Sequence, residues 1–270
     1  MPELPHVEGL KEYLDATSLH QTVRHVYLSA EHTLSDVSAR TLRRHLNGRA
    51  LVGSRRHGKE LFVSVEDEDW LRLHFGMTGD LKYFENGDAE GPDPEHTRLR
   101  LDFEGGGHLA FINPRRLGSI GWVESPEAYV DEEGLGPDAL DDAFDAECLR
   151  AALKDKRGTL KGALMDQGLV AGIGNVYADE ILFQSRLHPR AEPRSLAADA
   201  VRAVHAQMRR VLEAAIDAGS EDVPDWFLLP HRHPEGTCAN CGAPLEKMRV
   251  SGRATWYCPD DQRKEEDEGS

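Results

Sequence analysis

Two regimes of hydrophobic patterning divide the chain. Val7, Leu10, Tyr13 and Leu14 recur at helical spacing and predict a helix over residues 5–15. Short apolar runs follow, at Thr22–Ser29, Ala50–Ser54, Leu61–Val65, Leu71–Phe75, Arg98–Phe103, His108–Ile112 and Ser119–Val123. Turn signals such as Glu85-Asn86-Gly87 and Gly105-Gly106-Gly107 separate them, so each run reads as a strand. Short strands at this spacing predict a sandwich or barrel. From Ala143 to about Ala218 the period turns helical. Leu196–Ala218 reads as one amphipathic helix, with Val201, Val204, Met208, Val211, Leu212 and Ile216 on its apolar stripe and Gly219 as its stop. The expected class is therefore α+β, in more than one domain.

Composition limits the partners. The chain has 270 residues, 39% hydrophobic and 30% charged, which describes a globular protein with a real core. No run approaches the roughly 18 apolar residues of a membrane helix, so no membrane partner is expected. Met1–Gly9 has neither a basic nor an apolar segment of a secretory signal, which predicts a cytoplasmic protein. A net charge of −16 argues at first against a polyanionic partner. The distribution reverses that reading. Arg40 to Lys59 carries seven basic residues and no acidic one, whereas Glu124 to Glu147 carries ten acidic residues and no basic one. Pro126, Gly134, Gly136 and Pro137 mark this acidic stretch, 126–147, as a linker. Acid excess with 24 arginines against 8 lysines also suits a protein working in concentrated salt; a GC-rich genome would give the same arginine bias.

Three of the four cysteines lie between residues 238 and 258. Cys238 and Cys241 form a C-x2-C knuckle, and sixteen residues separate it from Cys258. Two knuckles joined by a hairpin suit tetrahedral zinc. The fourth position holds Asp261, and Asp260, His231 and His233 are also candidate ligands. At the other end of the chain, Met1 precedes proline, a context in which the initiator methionine is removed. Pro2 would then carry a free secondary amine. An α-amino group titrates near 8, so about a tenth is neutral and nucleophilic at pH 7. Attack on a sugar C1′ would give an iminium ion, an electron sink that eases later elimination. Glu3 is placed to carry the proton.

The ends agree with segments between them. These are Arg56-His57-Gly58-Lys59, His74-Phe75-Gly76-Met77-Thr78-Gly79 and Asn113-Pro114-Arg115-Arg116-Leu117-Gly118, then Gly172-Ile173-Gly174-Asn175-Val176-Tyr177 and Gly252-Arg253-Ala254-Thr255. In this order, with Pro2-Glu3-Leu4-Pro5 and the cysteines, they resemble the formamidopyrimidine-DNA glycosylase/endonuclease VIII family of base-excision repair enzymes. The resemblance covers essentially the whole chain.

It implies an N-terminal β-sandwich with flanking helices (1–125), a helical helix–two-turn–helix domain (148–230), a zinc-finger hairpin (231–263) and an acidic disordered tail (264–270). It implies a monomer acting on damaged double-stranded DNA, in a bacterial or archaeal nucleoid. Pro2 matches the nucleophile, Glu3 its proton-transfer partner and Lys59 a phosphate contact beside the lesion. A base must leave the stack before its C1′ can be attacked. Met77 and Arg115 match residues that fill the resulting hole, Arg116 is a further expected DNA contact, and Leu117 replaces an aromatic residue of the purine-directed branch. His74, Asn175 and Arg253 match phosphate contacts. Gly172 and Gly174 would bring backbone close to that phosphate, with N–H groups of the next helix facing the anion.

Three departures qualify the match. His6 stands where the family usually has glutamate, Asp261 replaces the last zinc cysteine, and only 18 residues separate Gly219 from Cys238. Purine-directed relatives carry a longer loop there. The leading expectation is a bifunctional glycosylase/AP lyase for formamidopyrimidines, oxidised purines and oxidised pyrimidines, cleaving by β,δ-elimination. A non-catalytic damaged-DNA binder is the second. A proline-dependent enzyme for small carbonyl compounds leaves Asn175, Arg253 and the cysteines unexplained.

Overall fold

The computed structural model describes residues 2–29, 31–85, 94–219 and 222–263. Met1 and the expected tail lie outside them. Two compact units result, one of Pro2 and His6–Gly134, the other of Glu3–Pro5 and the chain from Leu135 onward.

The first unit contains most of α1 (Leu4–Ser18), then β1 (Val23–Leu28), α2 (Ala39–Leu46), β2 (Leu51–His57), β3 (Glu60–Val65), β4 (Trp70–His74), β5 (Asp80–Phe84), β6 (Thr97–Phe103), β7 (His108–Ile112) and β8 (Ser119–Val123). The strands form two antiparallel sheets, ordered β1-β6-β7-β5 and β2-β3-β4-β8. Leu61, Val63 and Leu73 of one sheet share a core with Leu99, Leu101 and Phe111 of the other, and Val7, Leu10 and Leu14 of α1 join it. Each such buried side chain contributes about 1.5–3 kcal/mol. The expected sandwich is therefore present.

Three elements of this unit escaped the periodicity. β5 follows Gly79 directly and buries Leu81 alone fully, so its alternation is too short to register. α2 lies inside the basic run; Ser38 caps it by accepting from Thr41 N–H, and Leu42 and Leu46 bury one face. The acidic stretch read as a linker contains α3 (Pro126–Glu133), capped by Ser125 and ended by Gly134 at φ 61°. This helix belongs to the first unit. Tyr129 meets Phe62 edge-on and lies under the Arg72 guanidinium, while Glu127 pairs with Arg55 at 2.7 Å. Its acidity is thus partly that of a helix facing the basic β2.

The second unit holds α4 (Ala146–Leu153), α5 (Leu160–Leu164), α6 (Asn175–Gln184), α7 (Ala198–Asp217) and the hairpin β9 (Glu246–Val250)–β10 (Arg253–Tyr257). α7 is the long amphipathic helix expected, with Val201, Val204, Met208, Val211 and Leu212 buried. It ends at Gly219, at φ 68°, whose N–H reaches Ile216 O. α6 is different. Tyr177 through Phe183 are all buried, Asp179 and Glu180 included, so both carboxylates require partners inside the fold.

Candidate functional site

The amino terminus carries the first constellation. Pro2 is buried and Glu3 is 2% exposed. Glu3 Oε2 accepts the N–H groups of Gly174 (2.8 Å) and Tyr177 (3.1 Å), and Oε1 accepts that of Val176 (2.9 Å). Those are orphan donors of the first turn of α6, where a carboxylate also meets the positive end of the helix dipole. A Cβ on Gly174 would lie 2.4 Å from Glu3 Cδ, and one on Gly172, at φ 110°, would lie 2.6 Å from Leu4 Cδ1. Leu4 N–H donates to Gly172 O. This corrects the sequence reading of these glycines. They make room for Glu3 and Leu4, and three of the N–H groups assigned to an anion are taken by Glu3.

Asn175, half-buried, begins the same helix. Its Oδ1 accepts from Lys161 Nζ at 2.8 Å. Lys161 is fully buried and also reaches Thr255 Oγ1 (2.7 Å), Ala254 O (3.2 Å) and Asp179 Oδ1 (2.7 Å). Asp179 Oδ2 accepts from Arg232 (3.0 Å) and from Trp256 N–H (3.2 Å). Burial pushes the Asp179 carboxyl up and the Lys161 ammonium down from their ordinary ranges, and their mutual attraction opposes both. The network joins α5, α6, the 229–232 segment and β10. Sequence reasoning missed Lys161 and Asp179; the available signal was two acids inside an otherwise apolar helix.

In the first unit, Gly58-Lys59 is the two-residue turn joining β2 to β3, and Gly58 has the positive φ, 56°, that such a turn requires first. Arg56 fixes the turn, bonding Glu8 at 2.6 Å and Gly58 O at 3.2 Å. Lys59 therefore closes the basic run at a hairpin tip, half-buried. His74 Nδ1 accepts from Gly76 N–H, and its Nε2 lies 3.9 Å from Glu60. His6 is half-buried in the first turn of α1.

Met77 is 37% exposed and Leu117 52% exposed, each on a turn leaving the sandwich, and Arg115 and Arg116 are exposed beside Leu117. Arg116 has φ 55°, which turns the chain sharply there. These residues are brought to one end of the sheets, because His74 pairs with Ser119 and Asp80 with Ile112.

Arg253 is exposed at the start of β10, after the Ser251-Gly252 turn with both φ positive. Below it, the Sγ atoms of Cys238, Cys241 and Cys258 lie within 4.8 Å of one another. Cys241 and Cys258 are 3.5 Å apart. Tetrahedral zinc at 2.3 Å from each sulfur requires about 3.8 Å, so the thiol set fits a structural zinc. Asp261 accepts from Asn240 Nδ2 at 2.9 Å and lies 3.5 Å from Arg186, and His231 Nε2 faces Asp225 O.

A sandwich, a helical unit containing α6 and a three-thiol finger make a three-part architecture. Family models match each part: the formamidopyrimidine-DNA glycosylase N-terminal domain over 1–120, the H2TH domain of that enzyme over 135–225, and the zinc finger found in FPG and IleRS over 237–263. Formamidopyrimidine-DNA glycosylases of Synechocystis sp. and Moorella thermoacetica are 33% and 35% identical to the chain. The first alignment covers 98% of this chain and 99% of the relative, the second 92% and 95%. The Lactococcus lactis enzyme, solved non-covalently bound to DNA containing an AP site, superposes with a TM-score of 0.88 at 26% identity, over 97% of this chain and 100% of that one. The chain belongs to the formamidopyrimidine-DNA glycosylase family.

Proposed function

We propose that the protein is a bifunctional DNA glycosylase/AP lyase that removes oxidised bases from double-stranded DNA, acting as a monomer in the cytoplasm on nucleoid DNA. The observation that carries this reading is Glu3. The residue next to the candidate nucleophile is buried and fixed at both oxygens by three N–H groups of one helix terminus. Fixed geometry of that kind is what proton transfer at a reacting centre requires.

Pro2 nitrogen attacks C1′, and the N–C1′ bond forms as the base departs with the glycosidic electron pair and a proton. The amine proton is lost, O4′ takes a proton as its bond to C1′ opens, and an iminium remains. C2′ then gives up a proton and the 3′ phosphate leaves; a further elimination releases the 5′ phosphate, and water frees Pro2. Glu3 relays protons at the amine and O4′. Lys59, His74, Arg116, Asn175 and Arg253 hold phosphates, which positions the duplex without reading its sequence. Met77, Arg115 and Leu117 fill the vacated space. Cys238, Cys241 and Cys258 would hold a structural zinc that fixes the finger carrying Arg253, with Asp261, or else Asp260, His231 or His233, supplying the fourth donor.

Borohydride should trap a covalent adduct of the protein with an abasic duplex, and a form retaining Met1 should trap none. Equal trapping by both forms would remove Pro2 from the mechanism, and no trapping at all would leave a damaged-DNA binder. The short segment after Gly219 favours lesions that are cheap to extract. Activity on formamidopyrimidines and oxidised pyrimidines should be comparable, and that on 8-oxoguanine opposite cytosine weaker, in a panel of single-lesion duplexes.

A further inference from the structure

Asn113 lies in neither the acid–base machinery nor the exposed surface; it is fully buried. Every polar group of the residue is engaged. Its N–H donates to His96 O (3.0 Å), and its carbonyl accepts from buried Arg98 Nε (3.0 Å) and from Arg116 N–H (3.4 Å). Its side chain joins two turns: Nδ2 donates to Phe75 O at 3.0 Å, and Oδ1 accepts from Leu117 N–H at 3.1 Å.

Those turns are 75–79, which runs from β4 to β5, and 113–118, which runs from β7 to β8. Each passes from one sheet of the sandwich to the other, at the same end. Turn 75–79 closes on itself through Gly79 N–H to Phe75 O at 2.8 Å, so Phe75 O receives both the turn bond and the bond from Asn113. The backbones then touch. A Cβ on Gly76 would lie 2.4 Å from Leu117 C and O, and one on Gly118 would lie 2.2 Å from Asn113 Nδ2. Phe75 anchors the assembly by packing on Phe111. The exposed residues of this joined pair are Met77 and Thr78 on one turn and Pro114, Arg115, Arg116 and Leu117 on the other.

We propose that Asn113 is a positioning residue that locks the two turns into one rigid wedge, so that Met77, Arg115 and Leu117 enter the duplex together. This rests on the reading of those side chains as the void-filling group. Two apolar side chains on independent turns would each lose conformational freedom on insertion; a pre-joined wedge has already lost it in folding. A buried amide is suited to the task because it supplies one donor and one acceptor to two different backbones.

Asn113→Asp separates the bonds. The carboxylate still accepts from Leu117 N–H but repels Phe75 O, whereas the neutral acid can donate to Phe75 O and restore both contacts. The rate on a duplex abasic site, relative to wild type, should fall roughly 10-fold at pH 8, the scale of a modest misplacement. The ratio should recover toward one on acidification. Borohydride trapping on a single-stranded abasic site, where no extrusion is needed, should stay within about twofold. Gly76→Ala forces the turns apart without touching Asn113 and should give the same duplex-specific loss.

Equal loss on duplex and single strand, or an Asn113→Asp ratio near one at pH 8, would overturn the proposal. Met77→Ala and Leu117→Ala test the underlying reading separately. If both leave duplex processing unchanged while Asn113→Asp impairs it, the void-filling assignment fails and the wedge with it.

Discussion

Lys161 holds Asn175 by its oxygen. An ammonium has only protons to offer, so the atom facing Nζ at 2.8 Å must be Oδ1, and the amide nitrogen points away as a donor. A residue proposed to bind phosphate is thereby set in its donating orientation by a side chain that no solvent reaches.

Lys161→Met should weaken binding to a duplex carrying a tetrahydrofuran site by roughly 10-fold, the value of one hydrogen bond to a charged group. In an Asn175→Ala background the same substitution should cost less than about twofold, because the contact it orients is already gone. Asp179 keeps Arg232 and Trp256 N–H in the variant, so the helix should stay folded. Additive losses in a binding titration would separate Lys161 from Asn175.

Gly174→Ala puts a methyl group against the Glu3 carboxyl. Lyase turnover should fall by about 100-fold, as expected when a reacting group moves by an ångström. Phosphate-dominated binding of intact duplex should change little. Single-turnover rates and binding isotherms on the same preparation distinguish the two.

Glu180 gives a pH signature in stability. Its oxygens accept from Gln184 and from the N–H groups of Leu228 and Leu229, yet burial dominates and pushes the carboxyl up to about 7. The folded chain then binds more protons than the unfolded one between about 4.5 and about 7, so this group makes stability fall as pH rises through that window. The full effect is on the order of 3 kcal/mol. Denaturant unfolding of wild type and Glu180→Gln across that range should give a difference that grows with pH. A constant difference would mean that the carboxyl does not titrate there.

One zinc per chain is expected. Asp261→Ala should raise the rate at which a chelator removes it by several-fold, since three thiolates and a weak fourth donor leave the ion more exchangeable. Metal content by elemental analysis and release by a colorimetric chelator read this out. An unchanged rate would return the fourth position to Asp260, His231 or His233.

The acid excess predicts nicking activity that persists in roughly molar potassium chloride, although phosphate contacts weaken with salt in any such protein. Activity lost at a few hundred millimolar, with full stability in dilute buffer, would leave genomic base composition as the source of the arginine bias.

Local pattern sufficed for part of this. The spacing of Cys238, Cys241 and Cys258, the proline behind Met1 and the apolar stripe of α7 are legible because each depends on neighbours within a few turns of chain. Met77 reads as exposed for the same reason, on a glycine-flanked turn. The strands of the first unit other than β5 were legible because their runs were long enough to show a boundary.

Contacts across long separations were not legible, and they decided how the site is built. Gly172 and Gly174 look like an anion loop in sequence; what they admit is Leu4 and the carboxylate of Glu3, about 170 residues away. Lys161 reads as one more surface lysine until α6 and β10 close over it. Asn113 reads as a loop residue until the turn holding Phe75 and Gly76 is laid against its own. The sequence by itself determined which chemically able groups the chain offers, because reactivity and metal affinity reside in the side chains. Tertiary structure alone decided which of them are held still, because a hydrogen bond depends on ångström-scale placement that no local spacing encodes.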